Sequence, residues 1–280
     1  MKKIKVLVLL AAFSCLNVFS QATHEISAHL GGGFSPITYK LSAGSKSGGF
    51  GTVFGLGYTY FFDYQLGIQT GVGLGLYNAQ ADLHDITTIS SNLIDNEGDR
   101  FDMYTTLSGY KETQSAMYLN IPIMALYQID MYYFSGGFKI GIPISGKYKS
   151  QDAILTNKGY YTEFDNWAET QEFAGYGTFR GRNIDGNIDF GIAVMLALEA
   201  GMKWFLKNDF MLYSGFYFDC GIINIKNKNQ QFINYDPQNP EHFTTNSILD
   251  SYYNENESSK FVEKANLMSV GIMVRLSFGL

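Results

Sequence analysis

The sequence predicts an all-β protein: an eight-stranded, antiparallel, up-and-down transmembrane β-barrel with long extracellular loops. Three observations predict it. Eight stretches alternate apolar with small or polar residues at a period of two, the period of side chains about a strand. Short and long connections between these stretches alternate. The last stretch, 267–280, puts Met268, Val270, Ile272, Val274, Leu276, Phe278 and Leu280 on one parity and Ser269, Gly271, Met273, Arg275, Ser277 and Gly279 on the other. An edge strand this apolar would aggregate in water, whereas lipid accepts its apolar face and barrel closure removes the edge.

Composition narrows the class. The 280 residues include 30 Gly, 20 Tyr and 22 Phe against 5 Pro, and mean hydropathy is close to zero, because alternating strands average out. Lys2, Lys3 and Lys5 form a positive region ahead of the apolar run 6–13, and Val18-Phe19-Ser20 offers a cleavage site. Residues 1–20 therefore read as a signal peptide and 21–280 as the barrel. Ala12-Phe13-Ser14 is a poor approach to a lipobox at Cys15. No other stretch reaches the ~20 apolar residues of a membrane helix. Losing residues 1–20 removes three lysines and no acid, taking the formal charge from −6 to −9 and arguing against nucleic acid as a partner. Cys220 then stands alone, so no intramolecular disulfide forms, and its apolar parity makes it a small lipid-facing hydrophobe.

The strands follow in order. Residues 25–34 set Ile26, Ala28, Leu30 and Phe34 against Glu25, Ser27 and His29. Residues 49–62 set Phe50, Phe54, Leu56, Tyr58, Tyr60 and Phe62 against glycines, and 65–78 set Leu66, Ile68, Val72, Leu74 and Leu76 against Gly67, Gln69, Gly71 and Tyr77. The fourth and fifth strands span 115–128 and 132–148, and another hairpin joins 187–206 to 210–222. The short turns fall at 63–65, 129–131 and 207–209; the long loops fall at about 35–48, 79–114, 149–186 and 223–266, and hold about half of the mature chain. Long loops on one side and tight turns with both termini on the other is the outer-membrane pattern.

The run Tyr118-Leu119-Asn120-Ile121-Pro122-Ile123-Met124-Ala125-Leu126-Tyr127 resembles the "YLEIPLLLKY" strand of the PorT-like outer-membrane β-barrel family of Bacteroidetes. Tyr133-Phe134-Ser135-Gly136-Gly137 resembles that family's next strand, and 189–192 and 220–225 resemble its "DFG" strand start and "YGLTNI" strand end. The chain departs from the pattern at Asn120, where the family carries glutamate, and in its longer loops. The resemblance implies an outer-membrane location in a Gram-negative cell; one branch of the family is linked to secretion of other proteins.

An eight-stranded barrel has room inside for side chains and not for a wide channel. The inward parity carries Lys139, Lys147, Asp189, Glu199, Asp219 and Arg275, of which Lys139, Glu199, Arg275 and Asp219 are the expected lumen charge network. Lys139 and Glu199 are at similar depth for pairing, and Arg275 is within reach of Glu199. Inward glycines offset large inward residues such as Tyr77, Tyr133, Tyr213, Tyr217 and Met195. The long loops are dense in aromatics, unlike disordered segments. They predict a folded cap, a ligand surface, or both, with Tyr160, Tyr161, Trp167 and Tyr176 as candidate ligand-surface residues.

The functional expectation is an outer-membrane barrel with a filled lumen and structural or adhesive, ligand-binding loops. A narrow pore or a component of a transport or secretion assembly is the alternative, and a rim enzyme using His84 or His242 is a weaker one. No catalytic set, cofactor or metal site is expected: 95–102 is rich in oxygen ligands but lacks calcium-loop spacing. Expected partners are outer-membrane lipid, the assembly machinery that reads a terminal strand such as 267–280 with Phe278 two residues before its end, and a surface glycan or protein ligand.

Overall fold

The structure is a computed structural model that describes residues 24–207, 209–253 and 259–280; the expected signal peptide lies outside the described residues. Eight strands form its wall: β1 (His24–Phe34), β2 (Phe50–Phe61), β3 (Leu66–Asp82), β4 (Lys111–Ile129), β5 (Tyr132–Tyr161), β6 (Ala193–Phe205), β7 (Phe210–Gly221) and β8 (Val262–Gly279). Each pairs antiparallel with the next. β8 then pairs with β1 from Glu25↔Gly279 to Phe34↔Val270, which closes the ring. Closure leaves the wall without a free edge.

Two features pin the seam and the turns. Gly33 opposes Gly271 across β1 and β8, and a Cβ built on Gly33 would come within 2.1 Å of the Val270 carbonyl oxygen. Only glycine permits that approach of the two strands. At the β2–β3 turn the Asp63 carboxylate accepts the backbone N–H groups of Gln65 and Leu66, both at 2.7 Å, an Asx turn. Asp130 and Asp209 take left-handed φ of 51° and 58° in the other two turns.

The parity read from sequence sorts the wall. Ile26, Leu30, Leu56, Ile123, Phe134 and Ile272 are exposed on the outside, whereas Tyr77, Tyr133, Tyr213, Tyr217 and Met195 are buried within. Rings gather at the turn end of this outer surface, with Tyr60 on Phe62 at 5.2 Å and Phe210 on Phe278 at 5.1 Å. A predominantly apolar exterior edged by aromatics is the surface of a barrel seated in lipid. Among the described residues no helix is long and apolar enough to cross a membrane; strands make the crossing.

The long loops differ from the expectation at their boundaries. β3, β4, β5 and β8 continue past the apolar band, and the third loop begins only after Tyr161. Within the loops, Ile86–Ile94 pairs with Arg100–Ser108, which pairs with the far half of β5, which in turn pairs with Gly177–Asn187. The outward residues there are polar, with Thr87 bonded to Thr106 and Thr156 to Thr178. Apolarity stops at the membrane edge while the hydrogen-bond ladder does not, so a boundary set by hydropathy falls short. The expected strand 187–206 is also broken: residues 188–192 leave the ladder, turning Ile188 and Phe190 into the cap, and β6 starts at Ala193.

The fourth loop folds back across this upper sheet. Its short pairs, Gln230–Gln231 with Ser251–Tyr252 and Ile233–Asn234 with Thr244–Thr245, carry Phe232, Ile233, Phe243, Ile248 and Leu249 into a core with Phe101, Tyr110, Tyr176 and Phe261. The cap therefore has an apolar core of its own, continuous with the upper lumen.

Candidate functional site

Two regions hold the polar chemistry: the lumen and the cap. In the lumen, Arg275 pairs with Glu199 and donates to Gln69 Oε1 at 3.0 Å, with its guanidinium 5.5 Å from the Tyr213 ring centre. Lys139 donates to both Asp219 oxygens at 2.8 and 2.9 Å. The expected Lys139–Glu199 pair is replaced by these two. The register opposes Lys139 to Met195, four residues up β6 from Glu199, a separation of roughly 13 Å along the strand.

Two other residues leave the inward set. A bulge in β5 skips Ile144 between the partners of Met117 and Tyr118, so Tyr148 takes the inward parity and Lys147 faces solvent. Asp189 lies on the irregular stretch before β6, where it is exposed and paired with Lys228 at 3.1 Å. Neither change is legible without the register.

A third ion pair was missed at sequence level. Lys203 Nζ donates to Glu25 Oε1 and to Gln128 Oε1, both at 3.1 Å, and Tyr213 Oη donates to Glu25 Oε2 at 2.8 Å. Parity could have found it, since Glu25 shares its face with Ser27, and Lys203 shares its face with Glu199. From the turn end upward, the lumen is thus crossed by Lys203–Glu25, Arg275–Glu199 and Lys139–Asp219, all at low exposure. Charges in such a site are tolerated only when paired and hydrogen-bonded. A cavity of about 30 Å³, room for a water or two, lies among His29, Gln69, Asn120, Lys139, Glu199 and Tyr217.

In the cap, Glu112 is fully buried. It accepts from Tyr110 Oη at 3.1 Å, Gln114 Nε2 at 2.8 Å, Ser247 Oγ at 2.5 Å and the Ile248 backbone N–H at 3.2 Å. The carboxylate ties the fourth loop to the top of β4. Burial pushes its pKa up, and the four donors pull the other way. Nearby, burial raises Asp250 to about 6, opposed by the Lys226 ammonium, which burial itself lowers to about 8.

The four candidate ligand-surface residues fall on two faces. Tyr161 and Tyr176 point inward: Phe101 stacks on Tyr161 at 5.3 Å and meets Tyr176 edge-on at 5.7 Å, and the two tyrosine hydroxyls bond at 2.8 Å. Tyr176 is 2% exposed and belongs to the cap core. Tyr160 and Trp167 point outward, with rings 4.8 Å apart and Tyr104 5.0 Å from Trp167. Adjacent strand residues face opposite ways, so Tyr160 and Tyr161 cannot share a surface. Among the described residues no three His, Cys, Asp or Glu side chains gather to hold a metal ion.

These registers decide the fold. The chain is an eight-stranded antiparallel β-barrel. No protein-family model matches it, and no curated protein matches it. Among solved structures it is similar to Ail, the attachment invasion locus protein of Yersinia pestis, in complex with the heparin analogue sucrose octasulfate, at 11% identity over 93% of this chain and 99% of that chain, with a TM-score of 0.31. A major outer membrane protein from Thermus thermophilus gives 12% identity over 92% and 99%, with a TM-score of 0.33. The outer membrane protease OmpT from Escherichia coli gives 10% over 93% and 97%, with a TM-score of 0.29. Likenesses this distant carry no functional inference; the barrel rests on its own strand pairing.

Proposed function

We propose that this chain is an integral outer-membrane β-barrel of a Gram-negative cell, with a filled lumen and a folded extracellular cap that serves a structural or adhesive, ligand-binding role. The carrying observation is the succession of three ion pairs across the lumen beneath a cap with its own apolar core. An apolar exterior fits outer-membrane lipid, and a closing strand that carries Phe278 near its end fits the assembly machinery as partners.

The experiment is a pair of measurements on the folded protein. Unboiled samples are expected to migrate apart from boiled ones, and planar bilayers are expected to show no steady conductance. Open channels would overturn the filled-lumen reading, and absence of a heat-modifiable band would overturn the barrel in lipid.

The PorT-like resemblance of 118–127 favours a second reading, membership of a transport or secretion assembly, for which a co-purifying partner is the test. A rim enzyme draws little support. Exposed His84 follows Asp82, which pairs with Lys111 at 3.0 Å, and His242 meets its own neighbour Glu241 at 3.4 Å.

A further inference from the structure

The second, third and fourth loops meet in the cap around a cleft of about 400 Å³, lined by Asp95, Asn96, Tyr161, Phe173, Tyr235 and Gln238 together with Pro237 and Pro240. Its size lies within the ~300–1,000 Å³ of small-molecule sites. We propose that this cleft binds a neutral saccharide unit, with the Phe173 ring as the stacking platform and the Asn96 and Gln238 amides reading sugar hydroxyls. The proposal rests on the adhesive reading above and names the site and the ligand class for it.

The walls are preformed. Phe173 sits on a 3₁₀ turn, Glu172–Ala174, closed by bonds from Ala174 N to Gln171 O and from Gly175 N to Glu172 O, both 2.9 Å. Gly175 has a φ of 86°, and a Cβ there would come within 2.7 Å of the Pro240 carbonyl oxygen, so the two loop turns are in close contact. Phe101 fixes both tyrosines, stacking on Tyr161 and meeting Tyr235 edge-on at 5.1 Å. Phe173 itself is 75% exposed. A large apolar ring held out to solvent beside a rigid cleft is a surface waiting for a flat apolar face.

Charge selects the ligand class. No lysine or arginine lines the cleft, so a sulfated or phosphorylated group would find no counter-charge. The one lining carboxylate, Asp95, is already spent: Oδ1 accepts from the backbone of Glu97 and Asp99 at 3.0 and 2.9 Å, and Oδ2 accepts from Tyr161 Oη at 2.9 Å. A cationic side chain would have to displace those bonds. The side-chain amides of Asn96 and Gln238 have no partner among the described residues, and each offers two donors and an acceptor. A pyranose ring, apolar on its C–H face and hydroxylated at its rim, fits both halves of this lining.

The test uses the full mature chain in zwitterionic micelles that carry no sugar headgroup. Calorimetric titration would compare neutral oligomers of xylose, mannose, galactose and N-acetylglucosamine with a heparin hexasaccharide and pentalysine. At least one neutral oligomer is expected to bind saturably, with Phe173→Ala weakening it about tenfold or more, a loss equivalent to one stacking contact of about 1.4 kcal/mol. Asn96→Ala with Gln238→Ala is expected to weaken it severalfold, and Trp167→Ala, on the opposite face, to leave it unchanged. Heat-modifiable migration verifies that each variant is folded.

Binding of heparin or pentalysine alone, or an unchanged affinity in Phe173→Ala, overturns the site. So does failure of every neutral oligomer at millimolar concentration. Neutral-sugar binding lost in Trp167→Ala but kept in Phe173→Ala would overturn the cleft while leaving the adhesive reading intact. Open conductance together with no binding to the cap would remove both.

Discussion

Arg275 is 2% exposed, and its guanidinium reaches Glu199 and Gln69 across the lumen. Glu199→Gln would leave that charge uncompensated, a loss of roughly 3–5 kcal/mol for breaking a buried pair. The folded band is accordingly expected to convert at a lower temperature in a heating series on gels. The double replacement Glu199→Leu with Arg275→Met is expected to be milder, because no charge is stranded. If the single variant converted at the wild-type temperature, the pair would not brace the barrel. In the cap, Asp250 has a pKa raised by burial to about 6, so the folded state favours its protonated form. Its stabilisation is complete below about pH 4, where the unfolded group is also protonated, and is lost as pH rises through about 6. The span is worth up to about 3 kcal/mol. Lys226, Lys228, Asp189 and Glu112 are its charged surroundings. Limited proteolysis of the fourth loop is expected to quicken between pH 5 and 7.5, and Asp250→Asn to flatten that dependence.

At the scale of the element, the parity of two made eight wall strands legible, but it is a local rule with no memory across a bulge. It placed Tyr133, Ser135 and Lys139 inward correctly and then failed at Lys147, because the skipped Ile144 inverts every residue beyond it. It also stopped β5 at residue 148, thirteen residues short of its end at Tyr161, because hydropathy marks the lipid boundary and not the end of hydrogen bonding. The β1–β8 seam has a separate requirement. Gly33→Ala would drive a Cβ into the Val270 carbonyl and the Gly271 backbone, an overpacking cost of about 1–3 kcal/mol. A lowered urea midpoint for refolded Gly33→Ala, with Gly136→Ala as a control whose added Cβ meets nothing nearer than 3.4 Å, is the expected outcome.

For the whole molecule, closure is the decisive event. Ser277, Phe278 and Gly279 pair with Ser27, Ile26 and Glu25 on β1 and, at Ser277 and Phe278, with Met211 and Phe210 on β7. Deleting Ser277–Leu280 would open two ladders at the turn end, where unpaired backbone groups in lipid cost several kcal/mol each. No heat-modifiable surface protein is expected from that deletion; normal surface protein would refute the requirement. Above the membrane, the fourth loop, tied by Glu112 to the top of β4, turns four separate loops into one cap and creates the cleft beside Phe173.

The sequence by itself determined the class of fold, the eight wall strands and the face on which most wall residues lie, because strand periodicity and lipid exposure are written locally in residue order. Only the tertiary structure decided which charges meet, that Glu25 and Lys203 form a third pair, and that Tyr160 and Tyr161 serve different surfaces. Those outcomes depend on register, on one bulge and on contacts between residues more than a hundred positions apart, such as Glu112 with Ser247. No local pattern encodes such distances; the closed barrel sets them.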